Sequence, residues 1–307
     1  MPLKSRTGPP EPTLITAALL GDWPLPRPDG EGSGGRGKQS RGSVLVAGGS
    51  TEVPGALILA GIAALRAGAG KLQIATCRDI AQAVAIAVPE ARVISLPQSA
   101  GGDIDPSAAD RLVEAVNAVP AALLGPGVLD IPTVQQLLRQ VLPRLHGSAL
   151  VLDAGALAAL SERKDALHHL RGNAILTPHL VEMALMLGLE EDAVIHDPLA
   201  VALRAAREIQ AVVVLKGART FIATPDEETY CYAEGSIGLA TSGSGDTLGG
   251  VITGLLARGA SPAQAATWGV YLHGRAGHVM TERLGKLGFL ARELLAEIPP
   301  LMAFFDE

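Results

Sequence analysis

The sequence predicts an α/β fold, a mostly parallel sheet with helices on both of its faces. Short apolar runs alternate along the chain with longer segments of helical period. The polar and glycine residues that stand out gather just after the apolar runs, at the edge where open α/β sheets bind ligands. Apolar residues make up 48% of the 307-residue chain and aromatics only 3%, so Ala, Leu, Val and Gly fill the core. That filling suits helices packed closely on strands covered on both sides.

The elements follow in order. Residues 1 to 12 are polar and Pro-rich, a composition that does not support packing, and Leu14 to Leu20 reads as a short docked helix. Asp22 to Gly42 is a Pro/Gly/Ser linker carrying Arg36, Lys38 and Arg41, charges that suit either solvent or a phosphate contact. The expected organisation is therefore a mostly flexible segment over 1–42 and one catalytic domain over 43–307. Val44 to Ala47 is the first buried strand and Gly48-Gly49-Ser50 its exit loop. Gly55 to Ala67 is a helix stopped by Gly68, and Leu72 to Thr76 completes a βαβ unit. Then come a strand at Val93 to Leu96, a helix at Ala108 to Val119, a strand at Ala121 to Leu124 ending in Gly125-Pro126-Gly127, and a helix at Thr133 to Leu142. Strands at Ala149 to Leu152, Ala174 to Leu176 and Val212 to Leu215 end at Asp153, Thr177-Pro178-His179 and Lys216-Gly217. Phe221 to Ala223 and Thr229 to Tyr232 form a hairpin around Pro225-Asp226.

The last part carries the most chemistry. In LATSGSGDTLGG, Leu239 to Gly250, a glycine-rich turn opens a helix with Asp246 directly behind it. Gly243 and Gly245 are free to take positive φ, which would let the amides of Gly243, Ser244 and Gly245 converge on an anion at the positive end of the helix. A carboxylate has no electrostatic reason to sit at a phosphate site unless it handles the proton of a hydroxyl that meets the phosphoryl group. The plain alternative is an N-cap Asp after a glycine loop. Leu248, Val251, Ile252, Leu255 and Leu256 give the helix one buried face, and Gly259 ends it. Gly249, Gly250 and Gly254 cost helix propensity, so a backbone or a ligand is expected to approach them. Ser261-Pro262-Ala263-Gln264 opens the next helix with a capping-box pattern, running toward Met280.

Composition excludes several function classes. A net charge of −6 argues against a nucleic-acid footprint, and no apolar run has the length to span a bilayer. Cys77 and Cys231 lie far apart without metal-binding spacing, so neither zinc nor a disulfide framework is implied, and a cytoplasmic location is expected. His273 and His278 fall outside any zinc-binding frame.

The motifs AGGSTEVPGALILAGIAALRAGAGKLQIAT, LLGPGVL, VLDAGAL, ILTPHLVE, VVVLKGART and ATSGSGDTLGG occur in that order between Ala47 and Gly250, within a resemblance that runs from about Thr13 to about Ile298. In this order they resemble the ADP-dependent NAD(P)H-hydrate dehydratases, a branch of the ribokinase-like superfamily, in the stand-alone form without an epimerase domain. The resemblance implies a three-layer ribokinase-like sandwich. It also implies a repair reaction, in which the S form of hydrated NADH or NADPH is dehydrated with ADP, giving AMP, phosphate and the restored dinucleotide. Position by position, it places Asp246 as the base and Gly243, Ser244 and Gly245 around the transferring phosphoryl group. Lys216, Gly217, Ala218, Arg219, Thr220 and Gly245 stand where the AMP part of ADP binds, and Ala56, Gly125, Gly127, His179 and Asp246 where the hydrated dinucleotide sits. Magnesium is implied as a cofactor without identified protein ligands, and a homo-oligomer, tetrameric in relatives, is implied as the assembly.

The chain departs from the family pattern at three places. Gly155 replaces a second Asp after Asp153, Leu180-Val181 replaces Pro-Gly after His179, and Val53 stands where Tyr is frequent. Two other readings share the glycine turn: an ATP-dependent kinase of the same superfamily acting on a vitamin precursor or sugar hydroxyl, and a catalytically silent nucleotide-binding protein.

Overall fold

The computed structural model describes residues 11–27 and 41–306. Arg36, Lys38 and the expectation for residues 1 to 10 lie outside the described residues. The strands are β1 (Thr13–Leu14), β2 (Ser43–Gly48), β3 (Lys71–Cys77), β4 (Ala91–Leu96), β5 (Ala121–Leu124), β6 (Ala149–Leu152), β7 (Ala174–Leu176), β8 (Val212–Leu215), β9 (Thr220–Ala223) and β10 (Thr229–Tyr232). They form one sheet in the order β1-β10-β9-β8-β7-β6-β5-β2-β3-β4. Only β9, paired antiparallel with both β8 and β10, runs against the others. Val44, Leu45 and Val46 are all fully buried, as are Val213 and Val214, which is the mark of strands covered on both faces.

The chain leaves β2 through β3 to β4 on one side and reaches β5 through β8 on the other, so the winding reverses between β2 and β5. Right-handed crossovers then place the Gly55–Arg66 and Arg78–Ala87 helices on one face and Ala109–Asn117 and Ile131–Val141 on the other. The loops after β2 and β5 meet at that reversal. Gly49 N donates to Pro126 O at 2.7 Å and Gly125 N to Ala47 O at 2.9 Å.

The Ser244–Ala257 helix lies on the Gly55–Arg66 helix. A Cβ at Gly250 would stand 2.2 Å from Ala60 O, and one at Gly254 2.4 Å from Ala64 O. The glycines on this face therefore admit a neighbouring backbone, not a ligand.

The N-terminal expectation needs correction. Thr13–Leu14 is a strand added parallel to β10, and the helix is confined to Ala17–Gly21, with Thr16 Oγ1 accepting Leu19 N at 3.2 Å. The free outer edge of β10 supplies backbone partners that local propensity cannot reveal, such as Cys231 O for Ile15 N at 2.9 Å. Beyond it, Trp23 O accepts Trp268 Nε1 at 2.9 Å and Gln264 Nε2 at 3.2 Å. Half of the expected capping box is thus present: Ser261 Oγ accepts Gln264 N at 3.3 Å, while the Gln264 side chain is drawn to Trp23 and Pro24.

Candidate active site

Gly243, with φ +86°, is the N-cap of the Ser244–Ala257 helix, and it alone in the GSG turn takes positive φ. Gly245 is helical, which corrects the expectation that both glycines are left-handed; its importance is space. A Cβ there would stand 3.4 Å from Lys216 Nζ and 3.9 Å from Asp153 Oδ2. Asp246 lies in the first turn of the helix and is half-buried, so the N-cap alternative does not hold. Among the described residues no side chain hydrogen-bonds its carboxylate.

Burial, then the negative charge of Asp153, pushes the Asp246 carboxyl up to about 6, with Lys216 pulling the other way. The helix N-terminus favours the carboxylate, yet desolvation wins, leaving a group that gains and loses a proton close to neutral pH. Lys216 Nζ sits 3.0 Å from Asp153 Oδ1 and 3.9 Å from Glu182 Oε2. Burial works against the ammonium, but Asp153 and Glu182 outweigh it and hold Lys216 above its ordinary value. Asp153, 2% exposed, also accepts the Thr177 hydroxyl at 2.7 Å.

His179 is brought beside Lys216 by backbone pairing, with Lys216 N donating to Pro178 O at 2.8 Å. Its Nδ1 accepts the amides of Val181 and Glu182 at 3.1 and 3.2 Å, while Glu182 Oε2 accepts His179 N at 2.7 Å. This is a capping box for the Leu180–Leu187 helix. With Nδ1 committed as acceptor, Nε2 of the exposed ring carries the proton and lies 3.6 Å from Glu182 Oε1.

The residues expected on the substrate side lie close to neighbouring loops. A Cβ at Gly125 would fall 2.0 Å from Asp153 O, and one at Gly127 would fall 2.5 Å from Val53 O and 3.0 Å from Ala56 Cβ. Gly125 thus packs on Asp153, and Gly127 on Val53 and Ala56, while Lys216 reaches from Asp153 toward Gly245. Gly217, Ala218 and Arg219 form the exposed turn that leads from Lys216 into Thr220 and β9. The Arg219 guanidinium rests 5.2 Å over the Phe221 ring and donates to Cys231 Sγ at 3.2 Å. Gly155 is buried, and a side chain there would meet Val128 Cγ1 at 2.9 Å, so the missing second carboxylate has no room beside this loop as it stands.

Sequence reasoning missed His273. Its Nε2 lies 3.0 Å from Ser244 Oγ beneath the turn, and burial pushes its pKa down to about 4, so the imidazole is neutral. The signal was a polar residue on the buried face of the Pro262–Leu284 helix. No group of three or more His, Cys, Asp and Glu poised for a metal occurs among the described residues. Asp153 is already engaged by Lys216 and Thr177, so these side chains do not make a protein-built magnesium cage.

Residues 44–300 match the family model described as NAD(P)H-hydrate dehydratase. The chain belongs to this family. An ADP-dependent (S)-NAD(P)H-hydrate dehydratase of Xanthomonas campestris is 44% identical over 293 residues, covering 95% of this chain and 97% of its own length. A bifunctional NAD(P)H-hydrate repair enzyme of Moorella thermoacetica is 40% identical, and this chain spans 54% of that longer protein. A solved ADP/ATP-dependent NAD(P)H-hydrate dehydratase of Bacillus subtilis, co-crystallized with ATP/Mg2+, superposes with a TM-score of 0.77 at 30% identity, over 95% of this chain and 98% of its own. The sheet order and the two helical layers of this family member are those of a ribokinase-like fold, as expected from the sequence.

Proposed function

We propose that this family member repairs the S form of hydrated NADH and NADPH with ADP, and that Asp246 is its base. The observation that carries the assignment is the half-buried Asp246 carboxylate at a helix N-terminus, free of side-chain partners among the described residues and shifted to about 6. Hydroxide leaves a carbon poorly and phosphate leaves well. Asp246 takes the proton of the ring hydroxyl as its oxygen bonds to the β-phosphorus of ADP; the bond to the bridging oxygen breaks and AMP departs. The ring carbon–oxygen bond then breaks, phosphate leaves with the electron pair, and a proton is lost from the neighbouring ring carbon to solvent, restoring the double bond of the dihydronicotinamide. The amides of Gly243 and Gly245 and the Lys216 ammonium face the charge that builds on the phosphoryl oxygens, while the Ser244 amide, expected to join them, is taken by Thr241 O at 3.2 Å.

Lys216, Gly217, Ala218, Arg219, Thr220 and Gly245 receive the AMP portion, and Ala56, Gly125, Gly127 and His179 the dinucleotide. Magnesium, in this reading, is carried by nucleotide phosphates and water, where it would neutralise phosphate charge. The enzyme is proposed to be cytoplasmic, supported by two buried free cysteines, and to assemble as a homo-oligomer. Exposed Leu185 and Ile195, 71% and 57% accessible on neighbouring helices, support the assembly. No described helix is long and apolar enough to cross a membrane.

The test is incubation with hydrated NADH or NADPH and either ADP or ATP, following the return of reduced-nicotinamide absorbance. Recovery with ADP supports the reading. Phosphorylated product accumulating without recovery would favour the kinase, and no turnover with any hydroxyl substrate the silent binder.

A further inference from the structure

The loop after β5 is held from behind by a buried carboxylate outside the site just described. Asp103, 2% exposed, accepts Leu129 N on Oδ1 at 3.2 Å and Asp130 N on Oδ2 at 3.1 Å. Burial pushes its carboxyl above the usual range, with the two amide bonds pulling it back down. Asp130 is the N-cap of the Ile131–Val141 helix, its Oδ1 accepting Thr133 N at 3.2 Å. The Asp103 carboxylate thus satisfies donors at the mouth of that helix and faces its positive end.

The turn that carries Asp103 is itself tightly closed. Ser99 N donates to Asp103 O at 2.9 Å and Asp103 N to Ser99 Oγ at 3.2 Å. Its other arm reaches the loop after β2, where Gly102, with φ +86°, accepts Thr51 N on its carbonyl at 3.0 Å. Residues 99–103 therefore touch both loops that meet where the sheet reverses its winding, Thr51 on one and Leu129-Asp130 on the other. Those loops also press on each other at Gly127 and Val53. Few ways of shifting the Gly125–Asp130 loop leave Asp103 satisfied, because losing either amide strands a buried carboxylate oxygen.

We propose that Asp103 is a positioning residue for the repair reaction: its two amide contacts hold the Gly125–Asp130 loop against Val53–Ala56 in the shape that receives the hydrated dinucleotide. The proposal rests on the assignment of Ala56, Gly125 and Gly127 to that substrate. In this role Asp103 acts only through the backbone it holds.

Asp103→Asn keeps the side-chain size but turns an NH2 toward one of the two amides. The KM for the hydrated dinucleotide is expected to rise roughly tenfold, while kcat and the KM for ADP stay within about twofold of wild type. In the wild-type enzyme, amide exchange at Leu129 and Asp130 is expected to be as slow as in the sheet interior. An unchanged KM for the hydrate in a folded Asp103→Asn enzyme overturns the proposal. So does fast exchange of the two wild-type amides, a measurement that stands even if the variant does not fold. A rise confined to the KM for ADP overturns the dinucleotide assignment of the loop and the role named here with it. Failure of the wild type to turn over any hydrate is a separate result, striking the activity itself.

Discussion

Lys216 Nζ lies 3.0 Å from Asp153 Oδ1. The pairing keeps a cation beside Gly245 of the glycine-rich turn, with Asp153 and Glu182 as its ion-pair partners. Burial does most to raise the pKa of Asp246; Asp153 raises it further and Lys216 lowers it, so the pair trims the proton affinity of the proposed base.

The first expectation concerns pH. A base must be ionised to act, so kcat/KM should be low in acid and rise to a plateau through the Asp246 pKa of about 6. Lys216→Gln removes the charge that pulls this value down, so the rise should move to higher pH and the KM for ADP should increase. A pH profile of both enzymes checks it; an unmoved acid limb would show that another group is being read.

Asp246→Asn should lower turnover by at least ~10²-fold with little loss of ADP affinity. It should also stabilise the fold. The native pKa of about 6 lies above the ordinary 3.8, so the folded state favours the protonated acid and the penalty for ionisation grows as pH rises between those values, remaining in full above them. At neutral pH the variant should gain on the order of 1 kcal/mol after allowance for the group's partial exposure. Thermal unfolding of the two proteins measures it.

The two glycines of the turn should separate. Gly243→Ala forces a side chain into positive φ and against Leu59 Cδ1, 2.4 Å from the added carbon, and should destabilise the protein. Gly245 is helical with ordinary clearance, so Gly245→Ala should keep or raise the melting temperature while raising the KM for ADP. Equal loss of stability in both would contradict the geometry of the turn.

His273 should make the fold acid-sensitive. Its native pKa of about 4 lies below the ordinary 6.5, so the unfolded chain takes up the proton first and stability is lost as pH falls through that interval. At about pH 5 the loss should be roughly 2 kcal/mol, and His273→Gln should remove that slope. Urea titrations near neutrality and near pH 5 decide the matter.

Much of the candidate site was legible because its signals are local. Gly243, Asp246, Lys216 and the Gly125-Pro126-Gly127 loop each punctuate an apolar run, and the sheet strands stand out as those runs. Helices of other composition escaped. LVEMALML at Leu180–Leu187 has little polar face to set its period, although Asp197-Pro198 before Pro198–Ile209 was a readable start, Asp197 Oδ1 accepting Ala200 N at 3.1 Å. Asp103 could not be read, and for His273 the helix period showed burial but not its partner, since the partners of both lie 26 to 29 residues away and meet them only once the chain is folded. The same holds for Thr13–Leu14, whose strand is defined by an edge formed more than two hundred positions later.

The chain contains only two tryptophans, Trp23 and Trp268, and the indole of one donates to the carbonyl of the other. Intrinsic fluorescence is therefore concentrated at the seam where the N-terminal segment meets the long Pro262–Leu284 helix. A dye-free unfolding curve would follow the parting of that seam, and events at the phosphate turn would need a reporter of their own.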